Sequence, residues 1–408
     1  MMIGGHLLRH NSSGACYIEP GFIRVEEQQI VALETGEIPR SVDLGGADCL
    51  VMPGMIDAHV HLPQFDMIGA HGMPLLRWLN DVTFPQELRW ANLDHAQAMT
   101  SRVIDQLIGC GTTGICAYAT VHHESALAAL RIASQRGMRG VIGQVLMDRN
   151  APSELCYEAP RLLEETAVLL ASFPRSARMA AAVTPRFAIA CSETLLSGAG
   201  QLAAETGAIV QTHLAETQAE CQWVEELFDG RRYVDVYADA GLLRQTSICG
   251  HGIHLDDHDR AKLRATGSII AHCPTANSFL RSGTMQRTRL LADGVSLVIG
   301  SDIGAGYERS MVRVARAMIE AASSIGDVFP SAAAAWYAIT AGNADTLGWG
   351  DVGRLQIGAT ADIVVAYPDL PWLDRGVDPL SMLMFAWDDR WIRHVLLRGQ
   401  VGFSLRFD

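Results

Sequence analysis

"VMPGMIDAHVHL" (residues 51–62) is an apolar, strand-like run that ends in two histidines at i and i+2. Successive side chains of a strand alternate faces, so His59 and His61 point the same way. A doubly wound nucleotide-binding sheet would carry a glycine-rich phosphate loop after its first strand. Here that position carries imidazoles, and the fold must be sought elsewhere.

Seven more short apolar runs follow: "TTGICAYAT" (112–120), "GVIGQVLMD" (140–148), "RMAAAVTPRF" (178–187), "AIVQTHLAE" (208–216), "SICGHGIHL" (247–255), "SIIAHCPTAN" (268–277) and "SLVIGSDIG" (296–304). Amphipathic stretches such as "ESALAALRIASQRG" and "DRAKLRATG" separate most of them. Strand–helix alternation implies parallel strands. Eight such units predict an α/β chain built on a (β/α)8 TIM-like barrel. Both ends of the chain read differently. "FIRVEEQQIVALE" (22–34), "ADIVVAY" (361–367) and "IRHVLLRGQVG" (392–402) look like strands of a small sheet. The expected organisation is a barrel over 54–354 and a small β-sandwich domain composed of 1–53 and 355–408.

Composition narrows the functions. Of the 408 residues 49% are hydrophobic and 19% charged, enough to bury a large core. A net charge of −13 argues against nucleic acid and against an anionic membrane as partner. Lys262 is the single lysine, and no glycine-rich loop precedes it. That removes a Walker A site and a Schiff-base or carbamylated lysine elsewhere in the chain. Nine cysteines are scattered without a C-x-x-C pair, which reads as reduced thiols in a cytoplasmic protein. The opening "MMIGGHLLRHNSSG" lacks the basic region and long apolar core of a secretion signal, and no apolar stretch reaches membrane-spanning length.

The polar residues fall in a pattern. His59 and His61 end the first predicted strand, His213 the fifth with Glu216 just beyond, His251 the sixth and Asp302 the eighth. In a barrel these C-terminal ends converge on one face, where active sites lie. Two imidazoles on one strand can grip one ion, with His213 and Asp302 completing the ligand set. Imidazole and carboxylate together suit zinc, and iron(II) fits the same ligands. His71, His122, His254 and His272 stay open as wall residues.

"PGMIDAHVHL", "THLAE", "GHGIHL", "HCPTAN" and "GSDIGAG" together resemble the amidohydrolase superfamily in its aminohydrolase branch. Within that branch, "HLPQF", "PLLRWLNDVTFPQELR", "VTPRFAIACSETL" and "GYERSM" resemble the guanine deaminases. The resemblance implies one zinc per chain on His59, His61, His213 and Asp302. It implies that His251 and Asp302 hold and activate water, and that Glu216 moves protons to and from the ring. It assigns a purine to Gln64, Arg186 and Phe187, walled by Leu75 and Trp78, with His213, Glu216 and Asp302 at the reacting end. A homodimer is usual among such relatives, and "LSMLMFAWDD" (380–389) is one candidate contact surface. The alternatives are an aminohydrolase acting on 8-oxoguanine, a pterin, cytosine or a triazine, and a non-catalytic relative that keeps the barrel for assembly. A binuclear hydrolase is disfavoured, because "VTPRF" offers Arg186 where such members carry a lysine.

Overall fold

The computed structural model describes residues 1–374 and 376–405. Four strands come first: β1 (Met2–His10), β2 (Cys16–Glu26), β3 (Gln29–Thr35) and β4 (Leu44–Pro53). Eight follow as the barrel: β5 (Met55–His61), β6 (Thr112–Tyr118), β7 (Arg139–Leu146), β8 (Met179–Pro185), β9 (Ile209–Leu214), β10 (Ser247–His251), β11 (Ile269–His272) and β12 (Ser296–Ile299). Each is paired parallel to the next, in sequence order. These are the eight runs read from the sequence, and most of their residues are buried. Near-continuous apolar strands are what a parallel sheet covered on both faces requires.

Three last strands, β13 (Ile363–Ala366), β14 (Ile392–Leu397) and β15 (Gln400–Ser404), return to the N-terminal four. The resulting seven-stranded sheet has the order β15-β14-β13-β4-β1-β2-β3. It curls on itself. Gly399 of the β14–β15 turn packs so close to the β2–β3 turn that a Cβ there would lie 2.5 Å from the Glu27 carbonyl oxygen. Beside it, Arg398 Nε donates to Gln28 Oε1 at 2.9 Å. Ile3, Ile23, Ile30, Val51, Ile363 and Leu396 fill the space between, as in a small sandwich.

The stretch 51–62 is two strands rather than one. β4 ends at Pro53 in the mixed sheet, and β5 starts at Met55 in the barrel. Residues 51–62 are buried throughout, so the hydrophobic pattern runs through the switch without a mark. Gly54 is the hinge: its N–H donates to the Asp362 carbonyl at 2.8 Å, and a Cβ there would fall 2.0 Å from Thr113 Oγ1. The apolar stretch after Asp378 packs mostly inward. Its helix Pro379–Ala386 buries Leu380, Leu383 and Met384, leaves Phe385 exposed, and accepts a bond from Trp336 Nε1 at the Leu380 carbonyl.

β5 and β12 stand at the two ends of the barrel order, and separate bonds close the seam between them. Midway along it, Asn343 Nδ2 donates to the carbonyls of Ile56 and Ile299, each at 2.9 Å, while its Oδ1 accepts from Ile299 N at 2.9 Å. Nearer the C-terminal face, Asp302 N donates to the His59 carbonyl at 2.8 Å and His61 N to the Ile303 carbonyl at 2.8 Å. Asn343→Leu removes three bonds worth about 1 kcal/mol each and strands backbone groups without partners. The expected loss of stability is about 3 kcal/mol, read as a lower urea midpoint at unchanged slope. An unchanged midpoint would show that the seam does not depend on this side chain.

Candidate active site

The C-terminal ends of the barrel strands bring His59, His61, His213 and Asp302 together, with one ligand atom from each lying within 4.8 Å of all the others. His59 and His61 come from the end of β5 and His213 from β9. Asp302 sits three residues beyond the last residue of β12, in the loop rather than on the strand. Its backbone is left-handed (φ 51°), as is that of His251 at the tip of β10 (φ 71°). Such conformations cost about 1–3 kcal/mol in a non-glycine residue and persist where the surroundings fix them. Here the Asp302 N–H is tied to the His59 carbonyl.

The chemistry of this group suits a cation. His61 Nε2 and His213 Nε2 face each other at 3.1 Å, and Asp302 Oδ1 lies 3.3 Å from both His59 Nε2 and His61 Nε2. Ligands about 2.0–2.1 Å from one zinc stand about that far apart. His213 Nδ1 donates to the Arg186 carbonyl at 2.7 Å, which leaves the lone pair on Nε2. Both ring nitrogens of His59 and Nδ1 of His61 are buried without a hydrogen-bond partner. Burial pushes His61 down to about 4 and holds His213 well below the usual histidine range, so both are neutral bases at pH 7. Burial pushes the Asp302 carboxyl up, but its contacts with His59 and His61 at 3.3 Å outweigh it and hold the group well below the usual range. Neutral imidazoles and an ionised carboxylate are the forms a metal requires.

Two glycines make room for His59. A Cβ on Gly250 would fall 2.6 Å from His59 Cε1, and one on Gly300 2.5 Å from His59 Cβ. Below the group, the Tyr118 ring stacks on His61 at 4.5 Å between centroids and touches His59 and His213 at 4.9 Å.

Beside this cluster lie Glu216 and His251. Glu216 is 3% exposed and stands one residue before the cap of the helix Gln218–Leu227, so it is not a solvated helix-start acid. Ser282 Oγ donates to its Oε1 at 2.6 Å, and His251 Nε2 lies 3.4 Å from its Oε2. Burial pushes the Glu216 carboxyl well above the ordinary glutamate range, and the charges of Asp302 and Glu220 push it further. Glu220 holds the backbone in place, accepting from Glu216 N at 2.8 Å and from Tyr233 OH at 2.8 Å. Burial pushes His251 down to about 3. With the Asn277 amide nitrogen 2.9 Å from Nδ1, the ring proton sits on Nε2, facing Glu216 and Asp302.

A cavity of about 400 Å³, part of it open to solvent, lies over these groups. Gln64, Leu75, Trp78, Arg186 and Phe187 line it together with His61, His213, Glu216, His251 and Asp302. Every substrate-side residue expected from the sequence is therefore at one cavity. His71, His122, His254 and His272 are not among its lining residues. His254 stands one layer out, with Nε2 2.8 Å from the carbonyl of Ser282. His122 pairs with Tyr157 OH, and His71 is exposed.

Sequence reasoning passed over Tyr118, Glu87 and Glu220. Tyr118 sits at the end of a barrel strand, where the rule that found the histidines would also have found it, had aromatic hydroxyls been included. Glu87 lies in the quoted "TFPQE" and pairs with Arg186 at 2.6 Å, both buried. Nothing in the local pattern links two residues 99 positions apart.

Residues 50–402 match the model of the Amidohydrolase family. Guanine deaminase of Escherichia coli (strain K12) is 34% identical over 412 residues, covering 96% of this chain and 93% of that protein. The solved E. coli guanine deaminase superposes with a TM-score of 0.93 at 31% identity, over 99% of this chain and 100% of that one. The guanine deaminase of C. acetobutylicum, solved with guanine bound in its active site, gives 0.92 at 28% identity, over 98% and 99% of the two chains. With a matched model spanning most of its length and a relative this similar from end to end, the chain belongs to the amidohydrolase family.

Proposed function

We propose that this chain hydrolyses guanine to xanthine and ammonia, using one zinc ion held by His59, His61, His213 and Asp302. Iron(II) suits the same ligands. The observation that carries the reading is a single cavity in which a buried acid, Glu216, and a buried cation, Arg186, stand beside a three-histidine, one-carboxylate group. Its full-length relatives are guanine deaminases. A homodimer, implied by the resemblance, belongs to the same proposal.

The net reaction adds water oxygen to the ring carbon bearing the 2-amino group and breaks its bond to nitrogen. Bound at the four ligands, zinc lowers the pKa of water to about 7 and supplies the nucleophile at neutral pH. Asp302 Oδ2 points toward His251 Nε2 at 3.9 Å and is the oxygen available to accept the water proton. His251 donates from Nε2, so it orients the attacking oxygen without carrying charge. Glu216 works through Oε2, since Ser282 occupies Oε1. Its raised pKa favours the protonated form, from which it can protonate the adjacent ring nitrogen as density builds there. Once ionised, it can collect a proton from the new hydroxyl and pass it to the departing amine. The sign follows: the protonated form is present below the raised pKa, and turnover falls as pH rises through it. Arg186 and Gln64 hold the far edge of the purine, the guanidinium as a permanent donor to the ring carbonyl. Trp78, Leu75 and Phe187 exclude water around it.

The reading stands on ammonia release from guanine by zinc-loaded protein, compared with 8-oxoguanine, cytosine, a pterin and a triazine. Guanine should be turned over fastest; activity confined to another ring would keep the metal group and reject the substrate. Glu216→Gln should retain zinc and lose about 10²–10⁴-fold in kcat, with wild-type turnover removing Glu216 as proton carrier. Gly250→Ala drives a methyl into the His59 ring, and should weaken zinc by about 10–100-fold in competition with a chromophoric chelator. Equal affinity would mean that the ring has room to move.

A further inference from the structure

We infer that Glu87 is a positioning residue that sets the hydrogen-bonding polarity of the pocket, orienting Arg186 and Gln64 together so that a ring carbonyl is accepted and a ring amine in its place is turned away. The inference rests on the guanine reading above.

Glu87 is 2% exposed, lies in the short helix Phe84–Leu88, and is not among the residues lining the cavity. It acts through its neighbours. Both of its oxygens accept from Arg186 Nη1, at 2.7 and 2.6 Å, and Oε1 also accepts from Gln64 Nε2 at 3.1 Å. Three consequences follow. The guanidinium is fixed in place between the carboxylate and the Phe84 ring, 5.4 Å from its centroid, so its remaining N–H groups have set directions. Gln64 also loses its freedom to flip. An ionised carboxylate can only accept, which forces the amide nitrogen toward Glu87. On the other side Gly304 N–H can only donate, and it lies 3.4 Å from Gln64 Oε1. The two constraints agree on one orientation. Finally, the buried charge of Arg186 is balanced, so the pocket offers directed donors to a neutral carbonyl rather than an unpaired cation to an anion.

A glutamine at 87 keeps the shape but can both donate and accept. Arg186 then loses its anionic partner, and Gln64 can turn its carbonyl where its amine had been. The ring that reads this change is 2,6-diaminopurine, which keeps the 2-amino group of guanine and presents an amine donor where guanine has its carbonyl acceptor. Sites built to bond one polar group reject the mismatched analogue strongly, because buried groups are left unpaired.

The test uses the zinc-loaded full chain, with steady-state ammonia release from guanine and from 2,6-diaminopurine. E87Q should keep its zinc and its kcat on guanine to within about threefold, and raise KM by about tenfold or more. The ratio of kcat/KM for guanine over 2,6-diaminopurine should fall by about tenfold or more. A purely structural defect would lower both activities and leave that ratio alone. E87Q with wild-type KM and wild-type ratio overturns the role of Glu87 while leaving the guanine reading intact. Wild-type protein that releases no ammonia from guanine overturns that reading, and this inference with it. Should E87Q fail to fold, E87D keeps the charge and shortens its reach by one methylene. It should lower the ratio in the same direction, and an unchanged ratio there overturns the proposal.

Discussion

The seam between β5 and β12 is held by separate bonds, and several of those bonds run through the candidate ligands themselves. The His59 carbonyl receives the Asp302 N–H, and the His61 N–H reaches the Ile303 carbonyl. One turn deeper, the Asp57 carboxylate accepts from Ser301 N at 2.9 Å, from Ser301 Oγ at 2.5 Å and from His59 N at 3.2 Å. Closing the barrel and aligning His59 with Asp302 are thus one event. Asn343 continues the same seam below. This is why Asp302 can sit in a loop, with a left-handed backbone, and still be fixed: the strand across the seam holds it.

The site must also bury many titratable groups at once without unfolding the chain around them. It does so by sorting them. His61 and His213 are kept neutral by burial, and Asp302 is held ionised. Burial pushes Glu216 and Glu220 toward the protonated form, and at Glu216 the charge of Asp302 adds to it. The remaining full charges on the cavity side, Arg186 and Glu87, are spent on each other. A buried charge is costly unless paired or neutralised; Arg186 and Glu87 are paired, and Asp302 carries the charge that a bound cation would balance. The raised pKa of Glu216 is therefore a consequence first of burial and then of the neighbouring Asp302 charge.

The barrel was legible because parallel strands covered on both faces read as short apolar runs, and most of the eight were separated by amphipathic helical stretches. The ligands were legible because a barrel converts scattered positions at strand ends into neighbours. What failed to show was set by contacts of a different kind. The break at Gly54 lies inside an unbroken apolar run, and only Pro53-Gly54 hints that the chain leaves one sheet for another. Glu87 and Arg186 are far apart in sequence, and a glutamate in a short helix reads as a surface acid. Tyr118 looks like any core aromatic until three histidine rings are seen around it.

Chemistry and recognition occupy different parts of the structure. The metal group and the acid come from strand ends and the turns just after them, which the barrel hydrogen bonds hold rigid. The groups proposed to read the ring come largely from the segment after β5, residues 62–91. Within that segment residues 75–91 form one helical run that widens to a π turn at 79–83, and the segment supplies Gln64, Leu75, Trp78 and Glu87. Such helical turns depend on tertiary contacts as well as on their own hydrogen bonds. They are held by side chains such as Trp78, whose Nε1 donates to the Ala70 carbonyl at 2.8 Å, and by the Glu87 contact with Arg186. A change in this segment can alter which ring fits while every ligand stays in place. The same barrel and the same four ligands can therefore serve different heterocycles, and the substrate of such a chain has to be argued from residues 62–91 and Arg186 rather than from the metal group.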